Sequence, residues 1–282
     1  MKIAERRKIN PKLLEKAAKL IHESKYLVVL TGAGVSTESG IPDFRSPGTG
    51  LWSKYSPDIS SLGNFLRNPL SFWQMAREIA PLIVKAKPNK GHQAIAELDK
   101  MGILKGLVTQ NIDGLHQKAG NVIVQELHGN ATELRCTACH GRIPLKTVLE
   151  NHRPEDDNYP PTCHSCGGEL LLNVVLFEQM LPRGMWFESV AMSQKADVMI
   201  VVGSALLVAP ADTLPQYTLK YGGKLIIINK TPTGYDKKAA VVIQGESSYI
   251  LSHIMSIVRS LEKGEDSERT PKKTKFKKIK FK

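Results

Sequence analysis

Long apolar runs are missing from this chain: none approaches the roughly 18 to 20 residues that span a bilayer, so no membrane-spanning helix and no membrane partner is expected. The N-terminus, MKIAERRKINPKLLEKAAKLIHESK, lacks the short basic stretch, apolar stretch and small-residue cleavage site of a secretion signal. It reads instead as a helix, and a cytoplasmic protein is expected. No internal repeat is present, which excludes a solenoid or propeller. Cysteine is scarce, with 4 in 282 residues, and aromatics make up only 6%. What remains is the make-up of an ordinary globular chain, long enough for one large domain carrying a smaller insert.

Charge is plentiful but unevenly placed. The formal net charge is +12, yet the last twelve residues, PKKTKFKKIKFK, hold seven lysines and no acid, and without them it drops to +5. Such a tail reads first as a solvated, disordered segment. Its second reading is a weak electrostatic contact with nucleic acid or another polyanion, with nucleoid or nuclear association as the corollary.

Three segments are short, β-branched and apolar at nearly every position: YLVVLTG (26–32), ADVMIVVG (196–203) and KLIIIN (224–229). They read as buried parallel strands. ILKGLVTQNID (103–113) adds a strand with a polar exit, while GHQAIAELDKMG (91–102) and SYILSHIMSIVRSLEKG (248–264) have helical periodicity. The alternation predicts an α/β fold, a Rossmann-like doubly wound parallel sheet with a smaller zinc-binding and helical insert domain. Residues 1–45, 91–134 and 169–262 would form the sheet domain, 46–90 a cofactor loop and helical insert, 135–168 a zinc-ribbon-like module and 263–282 the basic tail.

The zinc reading rests on Cys136-Thr-Ala-Cys139 and Cys163-His-Ser-Cys166. Two residues between cysteines let both sulfurs face one ion, and two such knuckles supply a tetrahedral thiolate set. A closed shell leaves no open position for water, so this Zn²⁺ is structural. His140 and His164 are surplus to it.

TGAGVSTESGIPDFR (31–45) begins like a dinucleotide-binding turn, but Thr37 stands where a third glycine belongs, and no acid follows at the usual distance. Polar residues crowd the strand exits instead: Asp43 and Arg45 in GIPDFR, Gln110, Asn111 and Asp113 in TQNIDGLH, His128 in ELHGN. GAGVSTESGIPDFR, TQNIDGLH, LHGN, the paired knuckles, VVLF, GSALLVAP and IIIN together resemble, in order and spacing, the sirtuins, NAD-dependent protein-lysine deacylases. The match runs over roughly residues 15 to 260.

The resemblance implies roles position by position. Gly32, Ala33 and Gly34 would bring amides to the pyrophosphate of NAD, with Ser36 and Thr37 opening a helix whose positive end faces it. Arg45 would add a cation there. Ile41, Phe44, Asn111, Ile112 and Asp113 would line the nicotinamide pocket, and Gln110, Ser204 and Asn229 would hold the riboses. Asp43, Gly203 and Ala205 complete the cofactor set. Catalysis would fall to His128, as general base through the ribose hydroxyls, and to Asn111. Phe44, Val175 and Phe177 would form the tunnel for a neutral acyl-lysine in a protein or peptide, clasped by backbone near Leu206 and Val208. The implied products are free lysine, nicotinamide and 2′-O-acyl-ADP-ribose.

Some positions depart from the family pattern. Leu171 and Leu172 replace a basic residue and proline, and Ser204-Ala205 replaces Thr-Ser. Glu178-Gln179 replaces Gly-Glu, which predicts altered peptide binding or slower turnover and leaves mono-ADP-ribosyl transfer as an alternative use of the same pocket. Ala76 and Ile79 stand where sirtuins that remove acidic acyl groups carry Tyr and Arg, which favours acetyl or longer fatty acyl groups.

Overall fold

A computed structural model describes residues 9–151 and 160–264. The lysine-rich tail and the first eight residues of the expected N-terminal helix lie outside the described residues. From the N-terminus the chain forms α1 (Pro11–His22), β1 (Leu27–Thr31), α2 (Leu62–Arg67), α3 (Pro69–Lys85), α4 (Lys90–Lys100), β2 (Leu104–Thr109), α5 (Leu115–Ala119) and β3 (Gln125–Glu126). It continues through β4 (Gly129–Cys136), β5 (Arg142–Pro144), α6 (Leu145–Asn151), β6 (Leu170–Val174), α7 (Arg183–Lys195), β7 (Val198–Val202), α8 (Leu214–Lys220), β8 (Lys224–Asn229), β9 (Val241–Gln244) and α9 (Ser247–Glu262).

Six strands pair in parallel in the order β3-β2-β1-β7-β8-β9. Period-two alternation divides each central strand between two cores. Leu27 and Val29 of β1 join Ile200 of β7 and Ile226 of β8 on one face, beneath α1, α4 and α9 through Ile21, Ile95 and Ile254. Val28 and Leu30 join Met199, Val201 and Ile227 on the other, against Leu214 of α8 and half-buried Trp186 and Val190 of α7. Because both faces are covered, β1 and β7 are buried at every residue, which is why their sequences are continuous rather than alternating.

The inserts build a second lobe. β5, β4 and β6 form an antiparallel sheet in that order, running from residue 129 to 174 and so beyond the 135–168 expected of the zinc module. Phe72, Trp73, Ala76, Ala80 and Ile83 of α3 share one core with Leu134, Leu145, Val148 and Leu170. Helical insert and cysteine module are therefore one packed body. Between it and the parallel sheet, the strand order reverses at β1 and β7, and the carboxyl ends of those strands open into a cleft.

Candidate active site

A cavity of about 400 Å³ occupies that cleft, and every cofactor, catalytic and substrate residue expected from the sequence lines it. The metal residues lie elsewhere, at the far end of β4. Three backbones touch at the cavity floor. A Cβ on Gly203 would stand 2.3 Å from Val35 N, and one on Gly34 would stand 2.8 Å from Gly203 Cα. Gly32 N donates to Val202 O at 3.0 Å and Gly34 N to Gly203 O at 2.8 Å. Those two amides are spent inside the protein, so what these glycines contribute to the cavity is a surface without side chains.

The helix expected to open at Ser36 and Thr37 does not form. Two 3₁₀ turns, Ala33–Val35 and Thr37–Ser39, take its place. Thr37 Oγ1 bonds Gly34 O at 3.1 Å, Gly40 turns left-handed at φ 89 and Pro42 follows. Side-chain competition for backbone carbonyls and the Gly40 turn end the helix before a second turn can form. A helix dipole therefore plays no part here.

Ser36 is instead the hub of a buried network. Its hydroxyl donates to Asp113 Oδ2 at 2.6 Å and accepts from Asn111 Nδ2 at 3.1 Å, with His92 Nε2 at 3.4 Å. One donor and two acceptors exhaust a serine hydroxyl. The other oxygen of Asp113 accepts from Leu115 N at 2.9 Å, so its carboxylate is held at both ends. Behind Asn111, its backbone N–H donates to Thr109 Oγ1, which in turn accepts from Thr31 Oγ1, and Thr31 meets His116 Nε2 at 2.9 Å. Burial pushes His92 below its ordinary range and His116 down to about 3, so both rings are neutral dipoles at pH 7.

His128 is fixed differently. Its Nδ1 lies 2.8 Å from the Gln110 carbonyl, which can only accept, so Nδ1 carries the proton and Nε2 is the bare, basic nitrogen. Burial lowers the His128 pKa, opposed by that hydrogen bond, and keeps the ring unprotonated near neutral pH. Its own carbonyl accepts from Val175 N at 2.9 Å, tying the base to the tunnel wall. Gly129, at φ 79, lets the wall approach: a Cβ there would stand 2.2 Å from Asn173 O. Gln110 also reaches across β1, donating from Nε2 to Ser204 Oγ at 3.0 Å.

Asp43 organises the loop over the cleft, accepting from Arg45 N and Ser46 N through one oxygen and from Ser46 Oγ through the other. Arg45 is exposed and forms no ion pair among the described residues. Phe44 and Phe177, both partly exposed, flank Trp52 at ring distances of 5.1 and 6.3 Å. Asn229, at the end of β8, donates to Thr231 O at 2.9 Å. Sequence reasoning missed the packing of Trp52 between Phe44 and Phe177, the His92 contact to Ser36 and the cavity residues Lys230, Thr231 and Ser247. Asn89-x-x-His92 as a reciprocal helix cap was the signal available for His92. On the acyl side the cavity runs on between Phe72, Met75, Ala76, Ile79 and Ile83 of α3 and Leu145 and Leu172, with no charged group among them.

At the cysteine module all four Sγ atoms lie within 4.8 Å of one another. Cys136 and Cys166 are 3.5 Å apart and Cys139 and Cys163 3.9 Å, far beyond the ~2.05 Å of a disulfide and close to the edge of a tetrahedron with ~2.3 Å arms. The donor set fits Zn²⁺, held by Cys136, Cys139, Cys163 and Cys166. Cys136 ends β4 and Cys163 precedes β6, so the ion would clamp the two strands that carry His128's neighbour Gly129 and Val174.

Residues 32–210 match the Sir2 family, and the chain belongs to it. The NAD-dependent protein deacetylase 2 of Caldanaerobacter subterraneus subsp. tengcongensis is 43% identical over 249 residues, 88% of this chain and 97% of its own. The NAD-dependent protein deacylase 2 of Archaeoglobus fulgidus is 42% identical over 250 residues, again 88% of this chain and 97% of its own. Among solved structures, a Sir2 complex with a deacetylated p53 peptide and 3′-O-acetyl-ADP-ribose superposes with a TM-score of 0.80 at 37% identity, covering 86% of this chain and 97% of that one. A Sir2 enzyme bound to a propionylated peptide gives a TM-score of 0.76 at 35% identity over 90% of this chain and 99% of the other.

Proposed function

We propose that this protein is an NAD-dependent protein-lysine deacylase that takes acetyl and longer apolar acyl groups. The observation that carries the reading is His128: half-buried, its pKa lowered, fixed through Nδ1 on Gln110, with Nε2 left as the base in a cavity whose floor is free of side chains. When bound, NAD supplies a glycosidic bond whose cleavage releases nicotinamide and an ADP-ribose acceptor for the acyl group. The protein's part is to hold, exclude and accept a proton. Gln110, Ser204 and Asn229 would hold the ribose hydroxyls, and Asp113, locked by Ser36 and Leu115 N, would accept from the carboxamide. Nε2 of His128 takes a proton from a ribose hydroxyl at the step that moves the acyl group.

The tunnel selects the substrate by desolvation. Phe44, Val175 and Phe177 offer no partner for an ammonium, so free lysine is disfavoured and the neutral amide enters. Beyond them, Ala76 and Ile79 offer no partner for a distal carboxylate, which supports apolar acyl groups over succinyl or malonyl. Four cysteines arranged as metal ligands rather than as disulfides fit a reducing compartment, which supports a cytoplasmic location.

Substitution of the base tests the assignment. His128→Ala should lower kcat for an acetylated peptide by about 10²- to 10⁴-fold, the range removed with a general base, while NAD still raises the melting temperature as in the wild type. A loss smaller than about tenfold would place the proton transfer elsewhere.

A further inference from the structure

The Phe177-Glu178-Gln179 segment holds a backbone that glutamate does not prefer. Glu178 has φ 73, in the left-handed region where a side chain carries a steric penalty and glycine carries none. A glutamate there has to gain something from its side chain. Its Oε2 accepts from Gly63 N at 3.0 Å, in the first turn of α2. The adjoining backbones are already stitched, Phe177 N to Ser60 O at 2.9 Å and Leu62 N to Phe177 O at 3.0 Å. Ser61 Oγ accepts from Asn64 N at 3.1 Å. Every N–H of that turn is thereby satisfied, and the Gly63 partner comes from another segment, 115 residues away in sequence. Gly63 itself is fitted to the contact, because a Cβ there would stand 3.2 Å from the carboxylate.

We infer that Glu178 is a positioning residue, a latch that pins the acyl-lysine wall to the first turn of α2 and so sets the affinity for the acylated peptide. Resting on the deacylase reading, this assigns a task to the residue that departs from the family's glycine. The wall is anchored at one end where Val175 N donates to His128 O. Glu178 anchors the other end, with Phe177 and its tunnel face between the two. Glu178 also lines the cavity, but its Oε2 is taken up by Gly63 N, so its influence runs through the placement of Phe177. Gln179 is turned back on the loop, its Oε1 accepting from Leu176 N at 2.7 Å, so of the two side chains it is Glu178 that reaches α2.

Three variants of the full chain test the latch. Glu178→Ala removes the acceptor, Glu178→Gln keeps an oxygen at the same reach, and Glu178→Gly removes the acceptor while relieving the left-handed backbone. Glu178→Ala and Glu178→Gly should each raise the KM for an acetylated peptide about fivefold, the scale of one hydrogen bond, with kcat and the KM for NAD within about twofold of wild type. Glu178→Gln should restore the peptide KM. Hydrogen exchange at the Gly63 amide should be slow in the wild type and Glu178→Gln and faster by about tenfold or more in the other two. An unchanged peptide KM in Glu178→Ala, a lower one in Glu178→Gly, or unchanged Gly63 exchange would overturn the proposal. If the wild type removes no acyl group with NAD, the deacylase reading falls, while Gly63 exchange still decides the latch.

Discussion

Three histidines, His92 and His116 buried and His128 half-buried, carry much of the behaviour expected of this protein at the scale of single residues. His92, His116 and His128 all lie below the ordinary imidazole pKa because burial penalises the charged ring, His116 at about 3. Between about pH 6.5 and those depressed values, the unfolded chain binds protons that the folded one refuses, so stability falls as pH falls. Each histidine adds up to about 1.4 kcal/mol per pH unit within its window. The urea midpoint should be flat from pH 7 to 8 and decline between pH 6.5 and 5, and the acid limb of kcat/KM should lie below pH 6.5. A flat midpoint through that window, or an acid limb above pH 7, would show that the rings are not buried neutral. His128 was singled out in LHGN only through the company of TQNID and GIPDFR, since its partners Gln110 O and Val175 N come from elsewhere in the chain. The Ser36 hub was not: its partners come from α4 and the loop after β2, and only folding brings them within 3.4 Å of one hydroxyl.

Elements divide by how local their causes are. β1, β7 and β8 were readable because strands buried on both faces must be apolar at successive positions, and α4 and α9 because one face of each packs on the sheet. The stretch after β1 was misread as a helix because the glycine pattern that normally precedes one is present, while Ser36, Thr37 and Gly40 divert the backbone within a turn. On the proposed deacylase reading, α3 sets the acyl specificity. Ala76 and Ile79 both face the cavity on adjacent turns, so a Tyr and an Arg there could meet one distal carboxylate. In the present chain a succinyl group would bury its charge unpaired, and acetyl-peptide should be preferred over succinyl-peptide by at least about a hundredfold in kcat/KM. The double variant Ala76→Tyr, Ile79→Arg should narrow that ratio by about tenfold or more. Equal turnover of both acyl groups by the wild type would remove α3 from the account.

For the whole molecule, the two lobes explain why a redox-style fold can spend its cofactor. The parallel sheet supplies a floor of Gly32, Gly34 and Gly203 at the reversal of strand order. The second lobe adds a wall, in which Met75, Ala76, Ile79 and Leu172 line the same cavity as His128, Phe44 and Phe177. No described helix is long and apolar enough to cross a membrane. The doubly wound sheet and the thiolate cluster were legible from strand exits and cysteine spacing. The shared core that joins the helical insert to that cluster was not, since Trp73 and Leu134 meet only in three dimensions. The central claim is acyl transfer coupled to NAD cleavage, and product stoichiometry tests it most directly. With purified protein, an acetyl-lysine peptide and NAD, mass spectrometry should find one nicotinamide and one O-acetyl-ADP-ribose for each lysine freed, and no reaction when NAD is omitted. Deacetylation that yields free acetate without NAD, or ADP-ribose attached to the peptide with its acetyl group intact, would contradict the account.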